Sequence, residues 1–256
     1  MSELDSTTRQ ALEELLLAMA DDEFVLGFWD SEWTGIAPIL EEDVAMSSVS
    51  QDEIGHAKAL YELLAVLNGR DADEIAFGRL PEDYRHAALM NHPRTDWAFT
   101  IARRFLYETA DAVRLESLAG SSYEPLANLA RKMRREETYH LLHFDLWLRR
   151  LAEGGTESRD RLTQALGDLW IDAQAIFAPL AGEARLHAAR ILPDSLEALR
   201  QEWLARVTSR VAELGLPGMP AAPAPTAAGR SAHGADFGWL HGEFTMVAAS
   251  EVGATW

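Results

Sequence analysis

Apolar residues recur at three- and four-residue intervals from Thr8 to about Leu214, and this spacing limits the possible folds more than any other feature. Residues three or four positions apart lie on the same face of an α-helix. The sequence shows no convincing alternation of apolar and polar residues of the kind that half-buried strands require. We therefore predict an all-α protein.

The breaks in this pattern predict four long helices and two shorter ones. Gly and Pro in "GIAPIL" (35–40) and "GSSYEP" (120–125) mark two turns, so the long helices form two hairpins joined by a connector over 69–94. A connector of that length is typical of a crossover between the two ends of a four-helix bundle. The predicted helices cover about 8–33, 41–67, 96–118, 126–152, 160–177 and 196–214.

Changes in composition divide the chain into three segments. Residues 1–216 form the predicted helical bundle domain, with two additional helices at its C-terminal end. The segment 217–236 is rich in Pro, Ala and Gly, which predicts a flexible or extended linker. Residues 237–256 form a C-terminal docking segment, for which we expect a short helix.

The balance of charges and the absence of cysteine exclude several classes of function. A formal net charge of −18 argues against binding to nucleic acid or to an anionic membrane surface, because both need clustered Lys and Arg. Without Cys, the chain has no disulfide, no Cys-ligated iron–sulfur cluster and no Cys nucleophile. We find no signal-peptide pattern and no apolar run of about 20 residues that could span a bilayer. These features predict a cytoplasmic protein.

Two Glu-x-x-His pairs lie on helix faces that are otherwise apolar. Glu53 and His56 occur in "QDEIGHA", and Glu137 and His140 occur in "REETYHL". Members of each pair are three positions apart and therefore share a helix face, which is also the face of the apolar stripe. A carboxylate and an imidazole on the core side of two separate helices need a physical explanation.

The first and third long helices each carry one more acid on the apolar stripe, Glu23 and Glu108. In an antiparallel hairpin, residues equidistant from the turn lie at the same height. The midpoint of 23 and 53 is 38, which is Pro38 in the first turn, and the midpoint of 108 and 137 is 122.5, in the second turn. Each hairpin should therefore bring its two carboxylates level.

These six side chains match the ligand set of a carboxylate-bridged dinuclear metal site. Each buried carboxylate costs several kcal/mol unless a cation neutralises it or it stays protonated. One Glu from each of two helices and Glu-x-x-His from each of the other two is the pattern of ferritin-like di-iron and di-manganese proteins. We therefore predict two iron ions, with manganese as the alternative. The predicted ligands are Glu23, Glu53, His56, Glu108, Glu137 and His140.

Several neighbouring polar residues have alternative or supporting roles. Glu32 or Glu116 could replace one of the carboxylate ligands, and Asp111 could hold the second nitrogen of a ligand His. The basic stretch "RKMRRE" (131–136) is interpreted as a solvated helix face, with a contact to a phosphorylated substrate or an acidic partner as the alternative. The neighbours expected at the surface or behind the ligands are Asp52, Glu136 and His143.

Four stretches resemble the smaller ferritin-like subunit of bacterial phenylacetyl-CoA epoxidase. They are "EWTGIAPILEEDVAMSSVSQDEIGHAKALYELL", "FTIARRFLYETADAV", "REETYHLLHFDLWLRRL" and the closing "GATW". The resemblance covers most of the chain. It implies a ferritin-like four-helix bundle and a role in a multicomponent ring-oxidising monooxygenase of aerobic phenylacetate catabolism.

The same resemblance implies further cofactors and partners. O2 would be the co-substrate, a CoA thioester the substrate, and a separate NADPH-dependent reductase the source of electrons. In that family a catalytic di-iron subunit pairs with a related subunit that is regarded as structural because its metal site has decayed. We therefore expect a homologous catalytic subunit as a partner, and a homodimer or hetero-oligomer in solution.

The sequence departs from the decayed pattern because all six predicted ligands are present. The family implies a scaffold, whereas the residues indicate a chain that can bind metal. Two alternatives to an oxygenase subunit thus stay open. One is a non-catalytic scaffold that stabilises a homologous catalytic subunit. The other is a ferritin-like iron-binding protein, which would need a closed shell of many subunits.

Overall fold

The computed structural model describes residues 4–250, and this part of the chain contains helices and connecting segments but no strand. It is 75% helical, and the fold class is the predicted one, an all-α ferritin-like helical bundle. The α-helices of the described residues are α1 Ser6–Ser31, α2 Leu40–Asn68, α3 Ala72–Phe77, α4 Trp97–Leu118, α5 Glu124–Glu153, α6 Thr156–Ala173, α7 Glu183–Ala188, α8 Leu196–Glu213 and α9 Ala235–Ser250.

All six predicted helices are present, with ends that differ by at most four residues from the prediction. The structure adds the short helices α3 and α7, which the sequence analysis missed. Each has six residues, fewer than two helical turns, and so is too short to show a helical period. Helix α3 begins after Asp71, whose side chain accepts the backbone N–H groups of Asp73 and Glu74.

The chain divides into two compact units. Unit 1 consists of the described parts of Met1–Leu12 and Arg94–Gly229, and unit 2 of the described parts of Glu13–Pro93 and Arg230–Trp256. Each hairpin of long helices thus falls largely in one unit: α4 and α5 in unit 1, and α2 with most of α1 in unit 2.

Unit 1 is built around α4, which is buried on nearly all sides and packs against α5, α6 and α8. The indole rings of Trp170 on α6 and Trp203 on α8 stack with their centroids 5.2 Å apart. Trp203 also donates a 3.0 Å hydrogen bond from Nε1 to the backbone oxygen of Leu106 on α4. This core holds α4 in place and thereby fixes the position of Glu108.

Unit 2 has an aromatic core to which its separate segments contribute. The ring of Phe24 on α1 lies 5.8 Å from Tyr61 on α2, 5.4 Å from Phe77 on α3 and 5.0 Å from Phe244 on α9, measured between centroids. Edge-to-face ring pairs at these distances stabilise a core beyond the area that they bury. Because Glu23 precedes Phe24, this core also anchors the part of α1 that carries a predicted ligand.

The turn of the first hairpin depends on a glycine with a left-handed backbone conformation. Gly35 adopts a positive φ of 85°, a conformation that residues with a Cβ rarely adopt. The carboxylate of Asp43 on α2 accepts the backbone N–H groups of Gly35 at 3.1 Å and Ala37 at 2.9 Å. These bonds close the turn that sets α1 and α2 side by side.

The segment 217–236 is largely without helix, apart from a 3₁₀ turn at Ala227–Arg230. Its backbone is tied to unit 1: Trp170 Nε1 donates to the oxygen of Pro220 at 2.8 Å, and Arg200 Nη2 donates to that of Ala222 at 3.3 Å. The helix expected near the C-terminus is α9. The division into segments 1–216, 217–236 and 237–256 stays a prediction, and "GATW" (253–256) lies outside the described residues.

Candidate metal centre

Three of the predicted ligands come together in unit 2. His56 Nδ1 lies 3.7 Å from Glu23 Oε2 and 3.9 Å from Glu53 Oε2. One ligand atom from each of these three side chains lies within 4.8 Å of those of the other two. All three residues are buried. The hairpin of α1 and α2 therefore brings Glu23 level with the Glu-x-x-His pair, as turn symmetry predicted.

A close approach of α1 and α2 positions this triad. A Cβ atom added to Gly27, one turn after Glu23, would lie 3.0 Å from Ile54 Cγ1, 3.1 Å from Glu53 Cβ and 3.2 Å from the backbone oxygen of Ser50. Real Cβ atoms rarely tolerate such distances, so α1 packs this tightly only because residue 27 has no side chain. The sequence analysis missed Gly27, although a glycine inside a long helix is itself a signal, because it costs about 1 kcal/mol relative to Ala.

The other three predicted ligands come together in unit 1. His140 Nδ1 lies 3.3 Å from Glu137 Oε1, and a ligand atom of Glu108 lies within 4.8 Å of ligand atoms of both residues. All three side chains are buried. Glu108 and Glu137 therefore lie level in the second hairpin, as turn symmetry predicted.

The two triads have the same composition, which suits a first-row divalent metal ion. Each offers two carboxylates and one imidazole, the donors that iron and manganese accept. With metal–ligand distances of about 2.1 Å, two donors on one ion lie roughly 3.0 to 3.4 Å apart. The 3.3 Å between Glu137 and His140 already meets this distance, and the 3.7 and 3.9 Å in unit 2 require only small side-chain shifts. The residues of each triad therefore fit a metal ion.

A buried arginine that the sequence analysis did not single out contacts the triad of unit 1. Arg104 lies one turn before Glu108 on α4, and its Nη2 forms an ion pair with Glu108 Oε1. Neither side chain is accessible to solvent. The guanidinium also lies over the ring of Phe144 on α5, 4.7 Å from its centroid. The carboxylate of Glu108 therefore has a positively charged group beside it within the protein itself.

The alternative ligands lie at more exposed positions than the six predicted ones. Glu116 is exposed and accepts a 3.0 Å hydrogen bond from Arg206, and Glu32 is partly exposed. Asp111 is buried and accepts two hydrogen bonds from Arg114, at 2.7 and 3.1 Å. Its proposed bond to a ligand His stays a prediction. The residues that were expected at the surface or behind the ligands are partly exposed: Asp52, Glu136 and His143.

A small cavity in unit 1 reaches a predicted ligand. It has a volume of about 140 Å³ and is lined by Glu137 together with Glu116, Arg134 and Arg206. The arginines and lysine of "RKMRRE" are exposed, as expected for a solvated helix face. The cavity has room for several water molecules beside Glu137, whose two carboxylate oxygens are themselves buried.

The fold and the paired triads define a class of protein: the chain is a ferritin-like helical protein with two buried Glu/Glu/His clusters. The chain belongs to the Phenylacetic acid catabolic protein family, whose sequence model matches residues 2–256. This confirms the family that the sequence motifs indicated.

Two curated relatives come from Escherichia coli (strain K12), and both are components of 1,2-phenylacetyl-CoA epoxidase. The C component is 30% identical over 201 residues, which are 78% of this chain and 81% of the relative. The A component is 26% identical over 191 residues, which are 73% of this chain and 62% of the relative. The chain is thus similar to two different subunits of one enzyme.

The described helices also bear on membrane association. Between residues 4 and 250, no helix combines the length and the apolar composition that crossing a membrane would require. The cytoplasmic location stays a prediction.

Proposed function

We propose that this chain is a subunit of a multicomponent phenylacetyl-CoA 1,2-epoxidase that acts in aerobic phenylacetate catabolism. The single observation that carries the proposal is the pair of buried Glu/Glu/His triads, one in each helical hairpin, in a member of this family. We further propose that the two triads hold two iron ions, with manganese as the alternative metal.

The roles of the six residues follow from the pattern of carboxylate-bridged centres. Glu53 and His56 would hold one of the ions, and Glu137 and His140 would hold the other. Glu23 and Glu108 would complete the two ligand sets. When bound, iron would supply the O2 chemistry of the proposed ring epoxidation.

The chain's own residues would keep bulk water from such a centre. Leu60 on α2 and Phe105 on α4 are both buried, at 0% and 2% exposure. Apolar side chains at these positions lower the local dielectric constant and so strengthen the attraction between the carboxylates and a cation. Because the sequence has no Cys to hold an iron–sulfur cluster, electrons would come from a separate NADPH-dependent reductase.

The partners that we propose follow from the relatives. Both are subunits of one epoxidase, so we expect a hetero-oligomer in which this chain assembles with a homologous ferritin-like subunit and receives electrons from a reductase. The substrate would be a CoA thioester that the assembled complex binds. The cavity of about 140 Å³ beside Glu137 is suited to water rather than to a substrate of that size.

A specific observation favours a second candidate function, the non-catalytic scaffold. The ion pair of Arg104 with Glu108 gives one carboxylate a counter-ion without any metal. A chain with such a pair can remain folded and can stabilise a homologous catalytic subunit with its own centre empty. The third alternative, a ferritin-like iron-binding protein, needs a closed shell of many subunits, and the mass of the protein in solution distinguishes it.

Turnover of the reconstituted complex tests the proposal. The complex is assembled from this chain, the homologous subunit and the reductase, with this chain as wild type or as Glu137→Gln. The rate of NADPH- and O2-dependent epoxidation of phenylacetyl-CoA is then measured for both complexes. An oxygenase subunit predicts a loss of at least about 100-fold in the variant, since the metal centre is removed. Glu136→Gln, a change at the preceding and partly exposed position, is the matched control. Full activity of an intact complex that contains Glu137→Gln would instead identify the scaffold.

A further inference from the structure

Arg104 occupies an unusual position for a charged side chain. It is fully buried inside unit 1, one helical turn before Glu108 on α4, and its guanidinium forms an ion pair with the Glu108 carboxylate. The ring of Phe144 covers the guanidinium at 4.7 Å. Arginine and lysine side chains are almost never fully buried unless they are paired, so the pair with Glu108 is central to the placement of Arg104.

The energetics of burial give this pair a clear role. Arginine stays protonated in proteins, so Arg104 carries its positive charge at every relevant pH. Removing one partner of a buried ion pair leaves the other charge uncompensated, which is strongly destabilising. Arg104 therefore supplies to Glu108 the positive charge that a bound metal ion would otherwise supply.

A metal ion and Arg104 must compete for the same carboxylate. The guanidinium forms an ion pair with Oε1 of Glu108, and a metal ion would coordinate an oxygen of the same carboxylate group. A divalent cation at that carboxylate is also repelled by the guanidinium, and repulsion between charges is strong where water is excluded. Metal binding to Glu108 must therefore overcome this repulsion or displace the guanidinium.

We infer that Arg104 is the resident counter-ion of Glu108 and that it sets the metal affinity of the Glu108–Glu137–His140 triad. This inference rests on the proposed metal centre and deepens it. The ion pair keeps unit 1 folded when the triad holds no metal, and it weakens the binding of metal because the guanidinium repels a cation at the same carboxylate. The same residue would explain how a chain with complete ligand sets can also serve as a metal-free scaffold.

Titration with Mn(II) tests the inference without any measurement of catalysis. Mn(II) is added to the metal-free full-length protein as wild type, Arg104→Met and Arg104→Lys, and the EPR signal of the unbound Mn(II) gives the affinity. Thermal unfolding of each protein is recorded with and without Mn(II). Arg104→Met removes the charge but keeps a long apolar side chain. We expect this variant to unfold at a lower temperature without metal and to bind Mn(II) at least about tenfold more tightly than wild type. Arg104→Lys, which keeps the charge, should stay close to wild type.

The matched control is Arg200→Met. Arg200 is a buried arginine of unit 1 whose Nε donates to Gln174 Oε1 at 2.8 Å, so it does not pair with a predicted ligand. This variant should lower the unfolding temperature and leave the Mn(II) affinity unchanged. If Arg104→Met does not fold, the Arg104→Met/Glu108→Gln double variant replaces it. Neutralising both partners should restore folding, and failure to do so would count against the pair.

The outcomes separate this inference from the proposed function. If wild type binds two Mn(II) ions and Arg104→Met binds them no more tightly, the role of Arg104 is overturned and the metal centre stands. If neither wild type nor any variant binds Mn(II), the metal centre itself is overturned, and the inference with it. Weak binding by wild type with tight binding by Arg104→Met supports both.

Discussion

Arg230 and Asp22 are separated by 208 positions in the chain and form a bidentate ion pair in the interior of unit 2. Both oxygens of Asp22 accept a hydrogen bond of 3.0 Å from the guanidinium. Arg230 also donates to the backbone oxygen of Arg85 at 2.9 Å, and Asp22 accepts the N–H of Ala87 at 2.8 Å. One buried pair therefore joins the segment 217–236 and the connector to α1, at the residue next to Glu23.

Replacing Arg230 should destabilise unit 2 more than most single substitutions would. In Arg230→Met, Asp22 stays buried without its guanidinium, which predicts a loss of about 3 to 5 kcal/mol in the free energy of unfolding. Urea unfolding followed by circular dichroism measures this loss. Arg185→Met, at an exposed position in α7, is the control and should change stability by no more than about 0.5 kcal/mol. A loss below about 1 kcal/mol in Arg230→Met would mean that the pair does not hold these segments together.

Gly27→Ala should separate α1 from α2 and disturb the triad of unit 2. The added methyl group would meet Ile54 and Glu53 at 3.0 to 3.1 Å, so these neighbours must move by a few tenths of an ångström. Overpacking of this kind costs about 1 to 3 kcal/mol. Because Glu53 itself must move, metal binding should weaken together with stability, and both are measured on the same protein by calorimetry and metal titration.

Gly55→Ala provides the matched control for Gly27→Ala. Gly55 also lies inside a helix and between two predicted ligands in the sequence, but a Cβ atom there has no neighbour within 4 Å. Since Ala is the better helix former, this variant should be more stable than wild type by up to about 1 kcal/mol. Equal effects of the two substitutions would contradict the close approach at Gly27.

Acid should weaken unit 2 through a buried histidine. Burial, and then the neighbouring His233, lower the pKa of His86 to about 3. The rings of His86 and His233 stack with their centroids 4.0 Å apart. The hydrogen bond between Asn91 and His86 Nε2 and the charges of Asp21 and Asp22 raise the pKa of His86, but they do not offset the lowering. His86 thus stays neutral in the folded protein, whereas a histidine in the unfolded chain binds a proton below pH of about 6.5.

The unfolded state binds a proton at His86 at a higher pH than the folded state does. Between pH of about 6.5 and 3 the unfolded state is protonated at His86 and the folded state is not, so stability falls as the pH falls through this window. The loss at the lower end is on the order of 4 kcal/mol. In His86→Phe the decline should be shallower, and His187→Phe, at an exposed position in unit 1, should follow wild type. Identical pH profiles for wild type and His86→Phe would refute this assignment.

Much of the candidate centre could be predicted because it depends on short-range rules. Helical period placed Glu53 and His56, and likewise Glu137 and His140, on one face, and the turns at "GIAPIL" and "GSSYEP" fixed which residues lie level. The resulting triads agree with this reasoning within each unit. The division of the described chain into two units was not predicted, because it depends on packing between distant segments.

The residues that the sequence did not reveal depend on long-range packing. An Arg and a Glu four positions apart, as in Arg104 and Glu108, are usually a weak surface pair, and only the packing of α4 shows that both are buried. Two adjacent arginines in the apolar run "FTIARRFLY" were the available signal. The pair of Arg230 with Asp22 carried no local signal, because its partners are far apart in the chain.

Metal content per chain tests most directly whether the two triads bind metal. The protein is loaded with Fe(II) without oxygen, freed of excess metal and analysed by elemental mass spectrometry, beside a Glu53→Ala/Glu137→Ala variant whose helical content is checked by circular dichroism. We predict two iron ions per wild-type chain and almost none in the variant. Equal metal in both proteins, or none in wild type, would contradict the account.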